Sequence, residues 1–118
     1  MYQKAIKQDE VDAVALDIPG VKIQTLHADQ ISGAATVLTH IAAGASIPQH
    51  WHTFADETVF VLSGDFIEHG RSYGPGAFLV GRAGTSHGPH DSISGCTVLT
   101  TFSAPLDFQM GKPAGETT

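Results

Sequence analysis

The sequence predicts an all-β fold, with antiparallel strands closed into a double-sheet sandwich or barrel. Three observations carry this. Glycine and proline punctuate the chain closely, at Pro19-Gly20, Gly44, Pro48, Gly64, Gly70, Gly74-Pro75-Gly76, Gly81, Gly84, Gly88-Pro89 and Gly95. The runs between them are short and rich in Val, Ile, Phe and Thr. None holds a long 3.6-residue apolar period, and many short strands at regular spacing make a sandwich or barrel. At 118 residues the chain has the length of one domain, enough for a core without disulfide or metal cross-links.

Residues 1–19 read as an N-terminal arm. Within it, QDEVDAVALDI (8–18) suits either one helical turn or an edge strand. Strands are expected at VKIQTL (21–26), ATVLTHIA (35–42), SIPQHWH (46–52), TVFVLS (58–63), DFIEH (65–69), AFLVG (77–81) and CTVLTTFS (96–103). Each is strand length and is bounded by turn residues. The end, GKPAGETT (111–118), is small and polar and is expected to fray as a flexible tail. No repeat, low-complexity tract or internal domain boundary is visible.

Charge and composition narrow the function classes. The net charge of −6 and six scattered basic residues argue against a nucleic-acid or anionic-membrane partner. Cys96 is the only cysteine, so no intramolecular disulfide can form. In the strand-like GCTVLTTF it reads as a buried small hydrophobe. The start, MYQKAIKQDE, has no apolar h-region, and no apolar run approaches membrane-spanning length. A cytoplasmic protein is expected.

Chemistry concentrates in GASIPQHWHTFADETVFVLSG (44–64). Alternate strand residues point to one face, about 6.6 Å apart. His50 and His52 can therefore converge on a single ion. TFAD (53–56) reads as a turn leading into a strand that begins at Glu57. If that strand pairs antiparallel with the histidine strand, Glu57 lands beside the imidazoles. A carboxylate with neutral imidazoles suits zinc, iron, manganese or nickel. Alone, an H-x-H pair in a strand is more often a surface pair, and this chain has seven histidines.

The wider spacing changes that balance. Residues 44–64 read G-x5-H-x-H-x4-E-x6-G, on Gly44, His50, His52, Glu57 and Gly64. This resembles the first motif of the cupin superfamily without a departure. Residues 76–91 resemble the second motif, with Gly76, Gly84 and His87 at the matching spacing. Arg82 stands where the family usually has Pro, and Asp91 where it usually has Asn. The resemblance implies a jelly-roll β-barrel of antiparallel strands with a metal inside. It implies His50, His52, Glu57 and His87 as the ligands of one divalent transition metal (Fe, Zn, Mn or Ni). The change at Arg82 touches the turn before His87 rather than a ligand.

A narrower likeness rests on Tyr73, Gly76, Gly84, Ser86, His87, Pro89, Gly95 and Cys96. This stretch resembles the cupin domain of zinc-binding anti-sigma factors, and small acetylacetone-cleaving dioxygenases are similar too. The helical zinc-binding domain that precedes the former has no counterpart in these residues. Sigma-factor binding is therefore not carried over.

Three histidines and one carboxylate would leave a divalent ion with a net +1 charge. Four ligands fill a tetrahedron but leave two positions on an octahedron. The leading expectation is a dioxygenase-type enzyme cleaving a small dicarbonyl or hydroxyaryl ketone, with Glu57 as catalytic base. The alternative is a non-catalytic zinc centre, structural, sensory or regulatory. A sugar-isomerase-type cupin ranks lower, because only Arg71 and Arg82 could face a phosphate.

The remaining residues take plainer readings. His90 is expected at the rim or behind the ligands, His40 as core or surface filler, and His27 and His69 as solvated turn residues. Asp56 should point to the surface. If Glu57 faces inward, so do Val59 and Val61. Phe60, Leu62 and Trp51 then face outward together and need a cover, which predicts a homodimer. Phe78 and Val80 join Val59 and Val61 as candidates to line an apolar pocket for a small-molecule substrate.

Overall fold

The computed structural model describes residues 1–116. Twelve strands and one 3-10 turn (Gln8–Glu10) make up its regular structure. The strands are β1 (Val14–Ala15), β2 (Val21–Ala28), β3 (Ala35–Ile41), β4 (Ser46–Ile47), β5 (His50–Trp51) and β6 (Glu57–Gly64). They continue with β7 (Phe66–Glu68), β8 (Arg71–Tyr73), β9 (Phe78–Gly81), β10 (His90–Asp91), β11 (Cys96–Phe102) and β12 (Gln109–Met110). Six form one antiparallel sheet in the order β1-β2-β3-β11-β6-β9. A second sheet runs β4-β10-β7-β8, and β5 pairs with β12. The all-β, double-sheet expectation holds. No helix among the described residues is long and apolar enough to cross a membrane.

Alternation builds the core. Along β11, Cys96, Val98, Thr100 and Phe102 are buried while the residues between them are half-exposed. Along β6, Glu57, Val59 and Val61 face the same interior. Ile47 and Phe66 meet them from the second sheet. Fully burying a side chain such as Val61 contributes about 1.5–3 kcal/mol relative to leaving it exposed. The packing is close enough to dictate a glycine: a Cβ on Gly64 would collide with the carbonyl oxygen of Gly95.

The N-terminal arm satisfies both of its readings. Residues 8–10 form the helical turn, and β1 is an edge strand paired with β2. His40 is a filler that bridges strands, with Nε2 2.7 Å from Gln24 Oε1 and Nδ1 2.9 Å from Thr97 Oγ1. Cys96 is buried, and burial pushes its thiol pKa up. Asp56 is exposed, and His69 sits exposed in a turn, as read from the sequence.

Several expectations are corrected. The strand expected over 46–52 is broken between β4 and β5, where Pro48 supplies no donor. His27 lies within β2 next to a register shift and is half-buried, not a solvated turn residue. Phe78 and Val80 point outward, at 60% and 66% exposure. The register explains this: Val59 stands opposite Leu79 and Phe60 opposite Phe78, and opposed residues share a face. Leu79, not its neighbours, packs on the core.

The outer apolar face therefore consists of Phe60, Leu62, Phe78 and Val80. Trp51 does not belong to it, because β5 lies outside the six-stranded sheet and Trp51 is half-buried. The C-terminal segment is tied down as far as it is described. Gly111 N–H donates to Gln49 O, and the Glu116 carboxylate accepts from Ser86. Residues 117–118 of the expected tail lie outside the described residues.

Candidate metal centre

Local backbone geometry brings the four sequence-read donors together from two sheets. His50 opens β5 and stands opposite His87 in an antiparallel bridge. The bridge has two hydrogen bonds, His50 N to His87 O at 3.0 Å and His87 N to His50 O at 2.9 Å. Opposed residues project to one side, so the rings meet. His52 follows two residues on, on the same side as His50. Glu57 is the first residue of β6, in the six-stranded sheet. The expectation that its strand pairs with the histidine strand is thus corrected. β6 pairs with β11 and β9, β5 pairs with β12, and Glu57 approaches from the facing sheet.

The donor atoms of His50, His52, Glu57 and His87 all lie within 4.8 Å of one another. His87 Nε2 is 3.1 Å from His50 Nε2, 3.1 Å from His52 Nε2 and 3.0 Å from Glu57 Oε1. Glu57 Oε1 is 3.6 Å from His52 Nε2. Metal bonds of about 2.0–2.1 Å would place neighbouring donors roughly 3.0–3.4 Å apart, so the set fits one small divalent ion.

The outer ring nitrogens support the same fit. His50 Nδ1 lies 2.7 Å from Pro48 O, and His52 Nδ1 lies 2.6 Å from Asp107 O. A carbonyl only accepts, so each Nδ1 carries a proton, and in the neutral ring that a metal would require each Nε2 presents a lone pair inward. Lone pairs 3.1 Å apart repel unless a cation or proton lies between them. His87 needs a glycine behind it, because a Cβ on Gly81 would lie 3.0 Å from His87 Nδ1.

Electrostatics agree. Burial first, then the neighbouring histidines, pushes the His50 pKa down to about 4 against the bond to Pro48, so it is neutral at pH 7. Burial favours the protonated form of Glu57, but bonds from His52 and His87 win and hold its pKa at about 2. Burial disfavours a charged His52, yet Glu57 and Asp107 outweigh it and raise its pKa.

Of the two places expected for His90, it takes the one behind the ligands. It is buried on β10, stacked on His87 at 5.4 Å between centroids, with Nδ1 against a Glu68 carboxylate oxygen. Glu68 also accepts from Gly88 N at 2.6 Å, which fixes the loop carrying His87.

Sequence reasoning missed the C-terminal segment. The Phe108 ring lies 5.1 Å from both His50 and His52, and Asp107 orients His52 through its carbonyl. The available signal was Leu106, Phe108 and Met110, large apolar residues at every second position of a small and polar end.

The inner wall of the site opens on a cavity of about 300 Å³ between the sheets. His50 and Glu57 reach it, and Ile23, Val37, Val98 and Phe108 are among its apolar walls. No Lys, Arg or Asp side chain lines it.

The sequence profile described as the ChrR cupin-like domain matches residues 2–105. The chain belongs to that family. Among curated proteins, none matches the sequence of this cupin. Solved structures resemble it closely in shape. A candidate acetylacetone dioxygenase from Methylibium petroleiphilum PM1 is 16% identical, with a TM-score of 0.79, covering 100% of this cupin and 87% of that chain. The acetylacetone dioxygenase of Acinetobacter johnsonii is 16% identical, with a TM-score of 0.72, covering 98% and 81%. KdgF from a Halomonas species is 22% identical, with a TM-score of 0.72, covering 86% and 94%. At these identities the likeness establishes the cupin fold.

Proposed function

We propose that His50, His52, Glu57 and His87 hold one divalent transition metal (Fe, Zn, Mn or Ni). We further propose that the loaded protein oxidatively cleaves a small, uncharged dicarbonyl or hydroxyaryl ketone. The observation that carries this reading is the placement of the donor cluster on the wall of a mostly apolar cavity whose described lining residues include no Lys or Arg. An apolar organic molecule gains from burial there, and a phosphate or other strongly anionic substrate would find no Lys or Arg to pair with among the cavity's described lining residues. The two dioxygenases of similar fold favour the same chemistry.

A divalent metal would supply Lewis acidity, which lowers the pKa of an enol or phenol. The cupin's own residues do the rest. His50 and His52, locked by Pro48 O and Asp107 O, fix where the ligand's oxygens can sit. The Phe108 ring packs against both imidazoles and covers part of the cavity wall beside them. Glu57 is ionised and faces the cavity, so if it swings off the metal it is the group placed to take the acidic proton. A carboxylate is a weak base, so the transfer depends on the acidified substrate. Net cleavage of a 1,3-dicarbonyl by dioxygen, with both oxygen atoms entering products, gives a carboxylic acid and a 1,2-dicarbonyl. Anaerobic iron reconstitution followed by oxygen-uptake assays tests this, with uptake expected for at least one diketone or hydroxyaryl ketone. No uptake with any of them sinks the reaction.

A second reading has its own observation: four protein donors complete a tetrahedron, as in a zinc centre without turnover. Stoichiometric, hard-to-chelate zinc in protein from cells would favour that structural or regulatory role. We also place the protein in the cytoplasm, acting on a small molecule rather than nucleic acid or membrane, and as a homodimer. The exposed Phe60, Leu62, Phe78 and Val80 motivate the dimer. Sedimentation should give twice the chain mass at micromolar concentration, and a monomer there refutes it.

A further inference from the structure

The donor cluster has a second opening whose partly apolar walls carry two hydroxyls and, unlike the barrel interior, an arginine. A cavity of about 360 Å³ reaches Glu57 and His87 and has Arg82, Thr85, Ser86 and Glu68 on its walls. Glu57 lines both cavities, so the cluster is approached from two sides.

The composition of this second cavity points to an anion. Arg82 is exposed and forms no ion pair with any carboxylate among the described residues. The turn from Arg82 to Ser86 is closed by the Thr85 N–H at 3.2 Å and the Thr85 hydroxyl at 2.6 Å, both donating to Arg82 O. At its far end Ser86 already holds a carboxylate. The Ser86 N–H donates to Glu116 Oε2 at 3.0 Å, and the Ser86 hydroxyl donates to Glu116 Oε1. These two donors hold the Glu116 carboxyl below its ordinary range. Ser86 immediately precedes His87, so that carboxylate sits one residue from the donor cluster. The acids native to the cavity are already matched: Glu68 by His90 and Gly88 N–H, and Glu57 by the histidines.

We propose that this opening binds a small carboxylate anion between the Arg82 guanidinium and the Ser86 N–H and hydroxyl, with Glu116 occupying the Ser86 half when no ligand is bound. A planar guanidinium and a paired N–H and O–H match the two faces of a carboxylate. The site deepens the functional reading above and rests on it only for the positive charge at the cavity floor. The acid released by dicarbonyl cleavage has this chemistry, so the opening at Arg82 would take product while the apolar cavity takes substrate. Arg82 gains a role here that its place at the usual proline position did not suggest.

The test is calorimetric titration of pyruvate, and of its neutral isostere pyruvamide, into the metal-loaded full chain at low salt. Arg82→Ala is expected to weaken pyruvate about tenfold or more, the loss of one charge-assisted contact. Arg82→Lys should recover part of that affinity. Glu116→Gln should tighten pyruvate several-fold, because the internal competitor is weakened. Equal affinity for pyruvate and pyruvamide, or no effect of Arg82→Ala, overturns the site, and no effect of Glu116→Gln overturns the role of the tail. Metal content is measured on the same samples. Protein that loads metal but binds no pyruvate overturns the anion site and leaves the metal centre standing. Arg82-dependent pyruvate binding in protein that loads no metal sustains the anion site and counts against the metal centre.

Discussion

Glu57→Gln lowers metal affinity by about a hundredfold or more, and His52→Ala does the same or worse. Partners that merely orient metal ligands are worth about 10- to 100-fold in affinity, so removing a donor itself should exceed that range. Glu57 supplies the only negative charge in the donor set, and three neutral imidazoles would leave the ion's full +2 in a largely buried site. The check is metal content of purified protein with competition against a chelator of known affinity. Glu57→Gln protein that binds metal as tightly as the wild type would remove the carboxylate from the site. His40→Ala is the matching control, since His40 bonds to Gln24 and Thr97 away from the cluster.

Stripping the metal lowers thermal stability, and the size of the drop depends on pH. A ligand present at about a thousand times its Kd stabilises the folded chain by about 4 kcal/mol. For a chain of this length that corresponds to roughly 10–20 °C in Tm. The pH sign follows from the metal-free site. His52 has a raised pKa, so its contribution is full below the ordinary histidine value of 6.5 and is lost as pH rises through the folded value. Glu57 has a depressed pKa, so its contribution is full above its ordinary 4.5 and is lost as pH falls toward about 2. His50 has a depressed pKa, so keeping it neutral costs stability as pH falls from 6.5 toward about 4, and the metal-free site is most favourable near pH 6.5. Metal competes with the proton on His52, so the loaded form gains as pH rises. The Tm difference between loaded and stripped protein should widen from pH 5.5 to pH 8. Scanning calorimetry at both values measures it, and a difference that narrows would contradict the assignment of His52 as a donor.

What the sequence revealed was set by how local each feature is. The donors were legible because Gly44, His50, His52, Glu57 and Gly64 lie on one continuous stretch with fixed spacing, and His87 on a second. The all-β class was legible from punctuation and strand length. How the donors meet was not, because sheet partners are chosen by non-local contacts. Glu57 arrives from the facing sheet, and no period within residues 44–64 reports that. Phe78 and Val80 failed for a related reason. Alternation gives two faces but not which one is buried, and the opposition of Val59 to Leu79 decides it. Asp107 was invisible in principle, since it acts on His52 through a backbone carbonyl 55 residues away. His90 and Glu68 required the β10–β7 pairing, which places the two residues opposite each other.

The Glu68–His90 pair behind the site and the C-terminal segment in front share one physical purpose. A histidine donor is precise only if its other nitrogen is held, and a buried loop is precise only if its N–H groups are satisfied. Pro48 O and Asp107 O do the first for His50 and His52, and Glu68 does the second at Gly88. The site is thus held from both sheets and from the chain's end.

Anomalous diffraction from crystals of protein purified without added metal, collected across the Fe, Mn, Ni and Zn edges, tests the central claim most directly. One peak is expected, within about 2.0–2.3 Å of Nε2 of His50, His52 and His87 and of a Glu57 carboxylate oxygen. A well-ordered site with no peak after metal is supplied, or a peak bound by other residues, would contradict it.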